Sequence, residues 1–190
     1  MHSLKQIGKK MAIDKDINIL VVDDFSTMIR IVTNLLKELG FMNIDSALDG
    51  SKAWPMIQTG KYDFIVSDWN MPEMTGIELL RLVRADPNFK DMPFMLITAE
   101  QKRSQILEAA QAGVDGYIVK PFTAATMKEK IDKIAERKSL EKRGVKLTPN
   151  KSSQEFAAQQ KAKLQQMLAS MSPEKRAAYL AKLKREQYTG

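Results

Sequence analysis

Five side chains that can bind cations or anions follow or end short apolar runs of this sequence: Asp23, Asp24, Asp68, Thr98 and Lys120. Three carboxylates that lie close together repel one another unless a cation lies among them, and ligation by oxygen alone suits a hard ion such as Mg²⁺. A lysine and a threonine hydroxyl nearby could then receive an anion. These residue types therefore predict a site for Mg²⁺ and an anion, provided that the fold brings them to one place.

Asp68 is the centre of this hypothesis. The apolar run 64–66 before it is typical of a strand buried on both faces of a parallel sheet, and Met71-Pro72 prevents the strand from continuing. Ligands of open α/β sheets bind at the carboxyl ends of strands, so an acid at this place is a candidate for chemistry. An aspartate that opens a turn or caps a helix produces the same local pattern, and this segment alone does not separate the two interpretations.

The elements that must position these side chains alternate along the chain. Strands are predicted at 17–22, 44–48, 64–68, 94–98 and 117–119, and apolar residues at helical spacing follow each strand. This alternation predicts a doubly wound α/β fold in which five helices cover both faces of a five-stranded parallel sheet. The five side chains then lie at the carboxyl edge, where neighbouring strands are about 4.8 Å apart. Carboxylates of the first and third strands would reach a common ion if those strands are adjacent.

Three local features allow further predictions. Gly40 should cap the first helix. Pro55 is tolerated only close to a first turn, so the second helix should be short or distorted at its start. The fourth helix, about 102–112, has mostly alanine on its inner face beyond Ile106 and Leu107, so burial should hold it only lightly.

Composition limits the kinds of site that this chain can build. Its 190 residues contain no cysteine and one histidine, which excludes disulfides, thiolate zinc sites, a cysteine nucleophile and a site with two imidazoles. No stretch approaches the roughly 20 apolar residues that cross a bilayer, and the start lacks the apolar core of a signal peptide. We therefore expect a soluble, cytoplasmic protein.

Charge divides the chain into two parts. Residues 1–137 contain 18 Lys and Arg against 19 Asp and Glu, a net charge of −1, whereas residues 138–190 contain 12 against 4, a net charge of +8. We predict a loose leader (1–13), a globular domain (14–137), a linker (138–151) and a basic helical tail (152–190). A basic appendage of this kind suggests an acidic partner, although a solvated helix face has the same charge count.

Four motifs resemble those of the receiver domains of two-component response regulators, and most closely those of the CheY family of chemotaxis regulators. They are Val-Val-Asp-Asp-Phe-Ser-Thr-Met (21–28), Ser-Asp-Trp-Asn-Met-Pro (67–72), Thr-Ala-Glu (98–100) and Gly-Tyr-Ile-Val-Lys-Pro-Phe-Thr (116–123). The resemblance covers about residues 14–137. It implies a flavodoxin-like sheet with the strand order 2-1-3-4-5 and a cis peptide bond between Lys120 and Pro121.

The resemblance also implies roles for the site residues. Asp68 would accept a phosphoryl group from a histidine kinase of the CheA-like kind, and Lys120 would pair with the phosphoryl oxygens. Thr98 would hydrogen-bond one of these oxygens, and its movement would let Tyr117 turn inward. Mg²⁺ would be held by three side chains and one backbone carbonyl: Asp23, Asp24, Asp68 and the carbonyl of Asn70.

The family's downstream partners follow from the same resemblance. A flagellar motor switch protein (FliM-like) would bind a surface that includes Lys102, Tyr117, Phe122 and Lys130, and a phosphatase (CheZ-like) is a further candidate partner. The protein would be a signalling phosphoprotein and not an enzyme in the ordinary sense. Self-phosphorylation from small donors with Mg²⁺ and autodephosphorylation are still expected.

Several of these residues also have simpler interpretations. Without the family pattern, Tyr117 on its short strand would be a packing residue, Thr98 a strand-end or cap residue, and Lys120 a solvated charge. Trp69 and Met71 either are exposed for contact with a partner or pack over the site, and we favour exposure. Two adjacent acids after a buried strand, Asp23 and Asp24, are harder to explain by structure alone.

Other functional classes fit less well. A phosphohydrolase of the haloacid dehalogenase type needs an acid two residues beyond its nucleophile, where this chain has Asn70. A dinucleotide enzyme needs a glycine-rich turn after the first strand, where this chain has Asp-Asp-Phe-Ser. Both classes are therefore disfavoured.

The stronger alternative is a response regulator whose basic tail binds DNA. The tail has a capping box at 152–155 and an apolar stripe that includes Leu164 and Leu168, and Ser172-Pro173 starts a second predicted helix. It is short for an independent helix-turn-helix domain, which favours a docking segment for an unknown protein partner. Nucleic acid is disfavoured but not excluded.

Overall fold

The computed structural model describes residues 13–99 and 103–144, together with the isolated residue 172. The predicted leader up to residue 12, Lys102 and the predicted tail helices lie outside the described residues. The strands are β1 (Ile19–Val22), β2 (Ile44–Ala47), β3 (Phe64–Asp68), β4 (Phe94–Thr98) and β5 (Gly116–Val119). The helices are α1 (Ser26–Glu38), α2 (Gly50–Gln58), α3 (Gly76–Ala85), α4 (Arg103–Gln111) and α5 (Ala124–Lys142).

The five strands form one parallel sheet with the order β2-β1-β3-β4-β5. This order confirms the flavodoxin-like, doubly wound prediction. β1 and β3 are neighbours, with Val22 opposite Ser67, so the residues that follow these two strands lie side by side. β4 and β5 complete the same carboxyl edge, with Thr98 opposite Val119.

Two apolar layers cover the two faces of the sheet. α2, α3 and α4 pack against one face through residues such as Ile57, Leu80 and Ala109. α1 and α5 pack against the other face, where Leu36 and Ile131 are almost completely buried. Burial on both faces explains why β1, β3 and β4 have continuous apolar sequences, since neither face of these strands meets water.

Local chemistry explains where the helices begin and end. Thr123 accepts a hydrogen bond from the backbone N–H of Thr126 and so caps the start of α5. Gly40 has φ +92 directly after α1, which confirms the predicted cap because this conformation favours glycine. α2 is short, nine residues, as predicted, but Pro55 is its sixth residue and lies beyond the first turn. Its missing N–H leaves the helix without the hydrogen bond that would reach the carbonyl of Ser51.

α4 is held to the sheet by little apolar contact, as the sequence predicts. Among residues 104–111 only Ala109 is buried. Leu107 was placed on the inner face by the sequence analysis, and this assignment is wrong because Leu107 is 39% exposed. A helix turns by about 100° per residue, so the face that carries Ala109 does not include Leu107.

A group of charged side chains surrounds Asp115 just before β5, at the amino edge of the sheet. The Asp115 carboxylate accepts hydrogen bonds from Arg84 of α3, from Arg137 of α5 and from the backbone N–H of Phe94 in β4. Lys138 Nζ lies 3.2 Å from the same carboxylate. α5 extends past Arg137 to Lys142, although the sequence analysis begins the linker at residue 138. The predicted division of the chain remains a prediction.

Within residues 13–99 and 103–144, no helix is both long enough and apolar enough to span a bilayer.

Candidate functional site

Asp68 ends β3 and is 7% exposed, and two different groups bind its two carboxylate oxygens. Lys120 Nζ lies 2.5 Å from Oδ1, and the backbone N–H of Asn70 donates to Oδ2 at 2.8 Å. The hydrogen bond from Asn70 closes the turn that takes the chain out of the sheet after β3. The carboxylate is thus almost buried and fixed in direction, at the edge where the sequence places the chemistry.

Lys120 joins β5 to both acid-bearing strands. Its Nζ donates to Asp68 at 2.5 Å and to Asp23 at 3.3 Å, and its backbone N–H donates to the carbonyl of Thr98 at 2.7 Å. Burial lowers the pKa of Lys120, but the hydrogen bonds and charges of the two carboxylates outweigh this effect, so the pKa is raised. Lys120 is therefore a fixed cation, and a solvated lysine is excluded. The peptide bond between Lys120 and Pro121 is cis.

Asp23 is the second buried acid of the site. It is 4% exposed, and its Oδ1 accepts a hydrogen bond from the backbone N–H of Phe25 at 2.9 Å. Burial raises the pKa of Asp23, and the charge of Asp68 raises it further, while Phe25 and Lys120 act in the opposite direction. Two carboxylates thus share one lysine, which leaves the pair with more negative than positive charge.

The positions of the acidic side chains show whether the site suits Mg²⁺. Asp23 and Asp68 both lie within hydrogen-bonding distance of one nitrogen, so their oxygens converge, whereas Asp24 is exposed. No group of three or more acidic or imidazole side chains is arranged around a metal position within the described residues. Mg²⁺ commonly takes only one or two carboxylates and keeps several waters, so two convergent acids with an exposed third beside them fit this ion.

Thr98 ends β4, and Tyr117 lies on the neighbouring strand β5, which Lys120 follows. Thr98 is fully buried at the end of β4, and Tyr117 is half-buried on β5 opposite Leu96. Tyr117 packs against the apolar layer that includes Trp69 and Ala109. Two other predicted surface residues, Phe122 and Lys130, are half-buried; Phe122 lies two residues before α5, and Lys130 is the seventh residue of that helix.

The predicted exposure of Trp69 and Met71 is wrong. They are 5% and 7% exposed, and both belong to the apolar layer under α2 and α3. Trp69 donates its backbone N–H to Ile97, so it continues the hydrogen bonding and the alternation of β3. It therefore points to the same face as Ile65, into the protein.

The sequence analysis overlooked two residues beside Asp68. Ser67 is fully buried, and its hydroxyl donates to the backbone carbonyl of Asp68 at 2.9 Å. Gly76 begins α3 directly against the same carbonyl. A signal for the second was present, because Thr75 and Glu78 form a capping box that marks the start of a helix at residue 76.

Comparison with known proteins identifies similar chains. Residues 19–132 match the family described as response regulator receiver domain. The chain is 63% identical over 125 residues to the chemotaxis protein CheY-3 of Vibrio cholerae, which covers 66% of this chain and 96% of the relative. It is 64% identical over 119 residues to the chemotaxis protein CheY of Pseudomonas aeruginosa, which covers 63% of this chain and 96% of that relative.

Solved structures show the same fold. CheY4 of Vibrio cholerae, a chemotaxis response regulator, superimposes with a TM-score of 0.58 at 31% identity, covering 63% of this chain and 98% of that chain. A putative response regulator from Chloroflexus aurantiacus superimposes with a TM-score of 0.61 at 27% identity, covering 65% of this chain and all of the other.

Proposed function

Because this chain belongs to the response regulator receiver family over residues 19–132 and is a CheY-like chemotaxis response regulator, we propose that Asp68 is its phosphoacceptor. The donor would be a histidine kinase of the CheA-like kind. One observation carries this proposal: Lys120 Nζ lies between two buried carboxylates, 2.5 Å from Asp68 and 3.3 Å from Asp23. A carboxylate held in this way can attack phosphorus with the Lys120 ammonium fixed beside it.

In the transfer, a carboxylate oxygen of Asp68 forms a bond to phosphorus as the bond between phosphorus and the donor's imidazole nitrogen breaks. The leaving imidazole keeps the electron pair and then takes a proton from water. Lys120 would pair with the phosphoryl oxygens, because its raised pKa keeps it charged beside them. Thr98, which ends the neighbouring strand, would hydrogen-bond one of these oxygens.

Mg²⁺ would be held by Asp23, Asp24, Asp68 and the backbone carbonyl of Asn70. When bound, the ion supplies positive charge that offsets the charge of the phosphoryl group and the carboxylates. The excess of negative charge at Asp23 and Asp68, which share one lysine, supports this assignment. The exposed position of Asp24 leaves its carboxylate accessible to a hydrated ion.

The output surface would be formed by α4, β5 and the start of α5, with Lys102, Tyr117, Phe122 and Lys130. Phosphorylation would draw Thr98 towards the phosphoryl group and let Tyr117 turn inward. α4 has only Ala109 buried among residues 104–111, so little apolar contact opposes its movement. The partner would be a cytoplasmic flagellar motor switch protein (FliM-like), with a CheZ-like phosphatase as a second partner.

The test is phosphorylation by acetyl phosphate with MgCl₂, followed by mass spectrometry of the modified peptide. We expect one phosphoryl group on Asp68, none in Asp68→Asn and none after chelation of the metal. Asp63→Asn, which removes an aspartate at the opposite edge of the sheet, is the matched control and should be phosphorylated normally. A phosphoryl group on another residue of the wild-type chain would refute the assignment.

Activation can be tested by the binding of a motor-switch peptide. Beryllofluoride, which mimics the phosphoryl group, should increase affinity for the peptide, and Tyr117→Ala should remove most of this increase. Equal affinity with and without beryllofluoride would contradict the proposal, because a ligand that binds both states equally shifts neither.

For the basic tail we propose a protein partner bound through its apolar stripe. The linker and tail together (138–190) have a net charge of +8, which also suits DNA, and salt separates the two cases. Binding through many phosphate contacts weakens steeply with salt, whereas apolar docking keeps much of its affinity. Leu168→Asp should therefore weaken binding more than Lys163→Ala. A silent Leu168→Asp variant, together with steeply salt-dependent binding to duplex DNA, would favour the DNA-binding alternative.

A further inference from the structure

We propose that Ser67 and Gly76 are positioning residues for Asp68. Together they hold the backbone carbonyl of Asp68 against the start of α3, and this fixes the direction in which the carboxylate leaves the sheet. The inference rests on the proposed role of Asp68 as phosphoacceptor. It concerns the backbone carbonyl of Asp68 and not its carboxylate.

Ser67 is a hydroxyl in a place where an apolar side chain is expected. It is the penultimate residue of β3 and is completely buried, and the residues two positions away on the same face, Ile65 and Trp69, are both apolar. A buried hydroxyl costs free energy unless it is hydrogen-bonded. The hydroxyl donates a hydrogen bond to the carbonyl of Asp68 at 2.9 Å. The Ser67 hydroxyl therefore stabilises the position of the backbone carbonyl of the proposed phosphoacceptor, Asp68.

Gly76 packs directly against the same carbonyl oxygen. A Cβ at this position would lie 2.0 Å from the carbonyl oxygen of Asp68 and 2.9 Å from Ser67 Oγ, both far inside contact distance. The backbone N–H of Gly76 also donates to the carbonyl of Trp69 at 2.9 Å. Glycine is needed here for space and not for an unusual backbone angle, because α3 begins directly on the peptide that follows Asp68.

The side chain of Asp68 is held independently from the opposite direction. Lys120 and the N–H of Asn70 each bind one carboxylate oxygen. The orientation of the carboxylate thus depends on two pairs of contacts, one on the backbone and one on the side chain. Transfer needs the attacking oxygen to be in line with the leaving group, and misplacement by about 1 Å can cost on the order of 100-fold in rate.

Ser67→Ala removes the hydroxyl without adding volume. We expect the maximal rate of phosphorylation by acetyl phosphate to fall by about 10- to 100-fold, while the half-saturating donor concentration changes less than twofold. Gly76→Ala should show the same pattern more strongly if it folds.

Ile57→Val is the control, because this fully buried residue of α2 lies in the same apolar layer and its truncation also destabilises the protein. It should leave both the maximal rate and the half-saturating donor concentration unchanged. The inference is overturned if the maximal rate of Ser67→Ala matches that of wild type, or if Ile57→Val loses as much rate as Ser67→Ala. Wild-type protein that is not phosphorylated on Asp68 would refute the proposed function, and the inference, which depends on that function, would fall with it.

Discussion

The guanidinium of Arg84 lies 2.6 Å from the carboxylate of Asp115, and both side chains are largely withdrawn from water. Arg84 also donates to the backbone carbonyls of Met92, just before β4, and Gly113, just after α4. One side chain of α3 therefore connects these two segments. Burial lowers the pKa of Arg84 to about 10. Asp115 is therefore the anion that allows several cations to be buried at the amino edge of the sheet.

Asp115→Asn should destabilise the protein strongly. The substitution keeps the shape of the side chain but leaves Arg84, Arg137 and Lys138 buried with one negative charge fewer. Removing one partner of a buried ion pair costs about 3–5 kcal/mol, and we expect a loss of this order in urea unfolding. Glu129→Gln, which removes an exposed ion pair with Lys133 on α5, is the control and should have no measurable effect. Equal midpoints for the two variants would show that Asp115 is not the centre of this cluster.

Asp49 should contribute to stability in a pH-dependent way. Hydrogen bonds from Lys52 and Ser51 lower the pKa of this helix-capping carboxylate to about 2, from 3.8. Because the folded pKa is the lower one, the contribution is complete above about pH 4 and is lost as the pH falls towards 2. Asp49→Ala should cost about 1 kcal/mol at pH 7 and less at pH 2.5.

Urea unfolding at both pH values measures this difference, with the exposed Asp16→Ala as the control. A cost of Asp49→Ala that is the same at pH 7 and at pH 2.5 would contradict the assignment.

Mg²⁺ should stabilise the folded protein through Asp23. At a concentration ten times its dissociation constant, an ion that binds only the folded state adds about 1.4 kcal/mol. The folded pKa of Asp23 is raised above 3.8, so the folded chain binds this proton more tightly than the unfolded chain, and stability without metal increases as the pH falls through the raised value. Protonation competes with the ion, so stabilisation by Mg²⁺ should be complete above this pKa and fade below it.

Thermal unfolding in MgCl₂ and in EDTA at equal ionic strength tests this prediction. Asp23→Asn should be more stable than wild type without metal and should gain less from Mg²⁺. Equal gains for wild type and Asp23→Asn would argue against Asp23 as a ligand.

Glu73→Gly should stabilise the loop that follows β3. Glu73 has φ +62, and the N–H of Met74 donates back to the carbonyl of Pro72, so the chain reverses within three residues. This conformation is unfavourable for a residue with a Cβ, and glycine should gain up to about 1 kcal/mol even after its greater freedom in the unfolded chain is counted. Gly60 has φ +74 with open space around it, so Gly60→Ala should lose about as much. Denaturant unfolding of both variants should therefore show opposite shifts of the midpoint.

The sheet and the acidic edge could be predicted from the sequence because both depend on short segments. An apolar run followed by an acid, as at 64–68, identifies a buried strand and its carboxyl end without knowledge of the rest of the chain. The resemblance to receiver domains added the strand order, which local patterns do not contain. The alternation of strands and helices had already placed Thr98 and Lys120 at the same edge, because all strands of a parallel sheet end there.

Other parts of the structure depend on residues that are distant in the sequence. Asp115 was overlooked because its partners Arg84 and Arg137 are 31 and 22 residues away, and Asp-Gly at 115–116 looks like an ordinary turn. The burial of Trp69 depends on how far β3 continues to pair with β4, and Met71-Pro72 suggested an earlier end. Ser67 and Gly76 meet only because α3 folds back onto the end of β3.

Asp115 precedes β5 and Lys120 follows it, and the side chain of each is paired with charged residues of other elements. One is bound at the amino edge of the sheet and the other at the carboxyl edge, and the four residues of the strand connect them. At about 3.3 Å per residue, adding or removing one residue would shift one end of the strand relative to the other by about that length. Inserting or deleting one residue would detach Asp115 from its arginines or Lys120 from its aspartates. We therefore expect β5 to be more sensitive to a change in its length than its few residues would suggest.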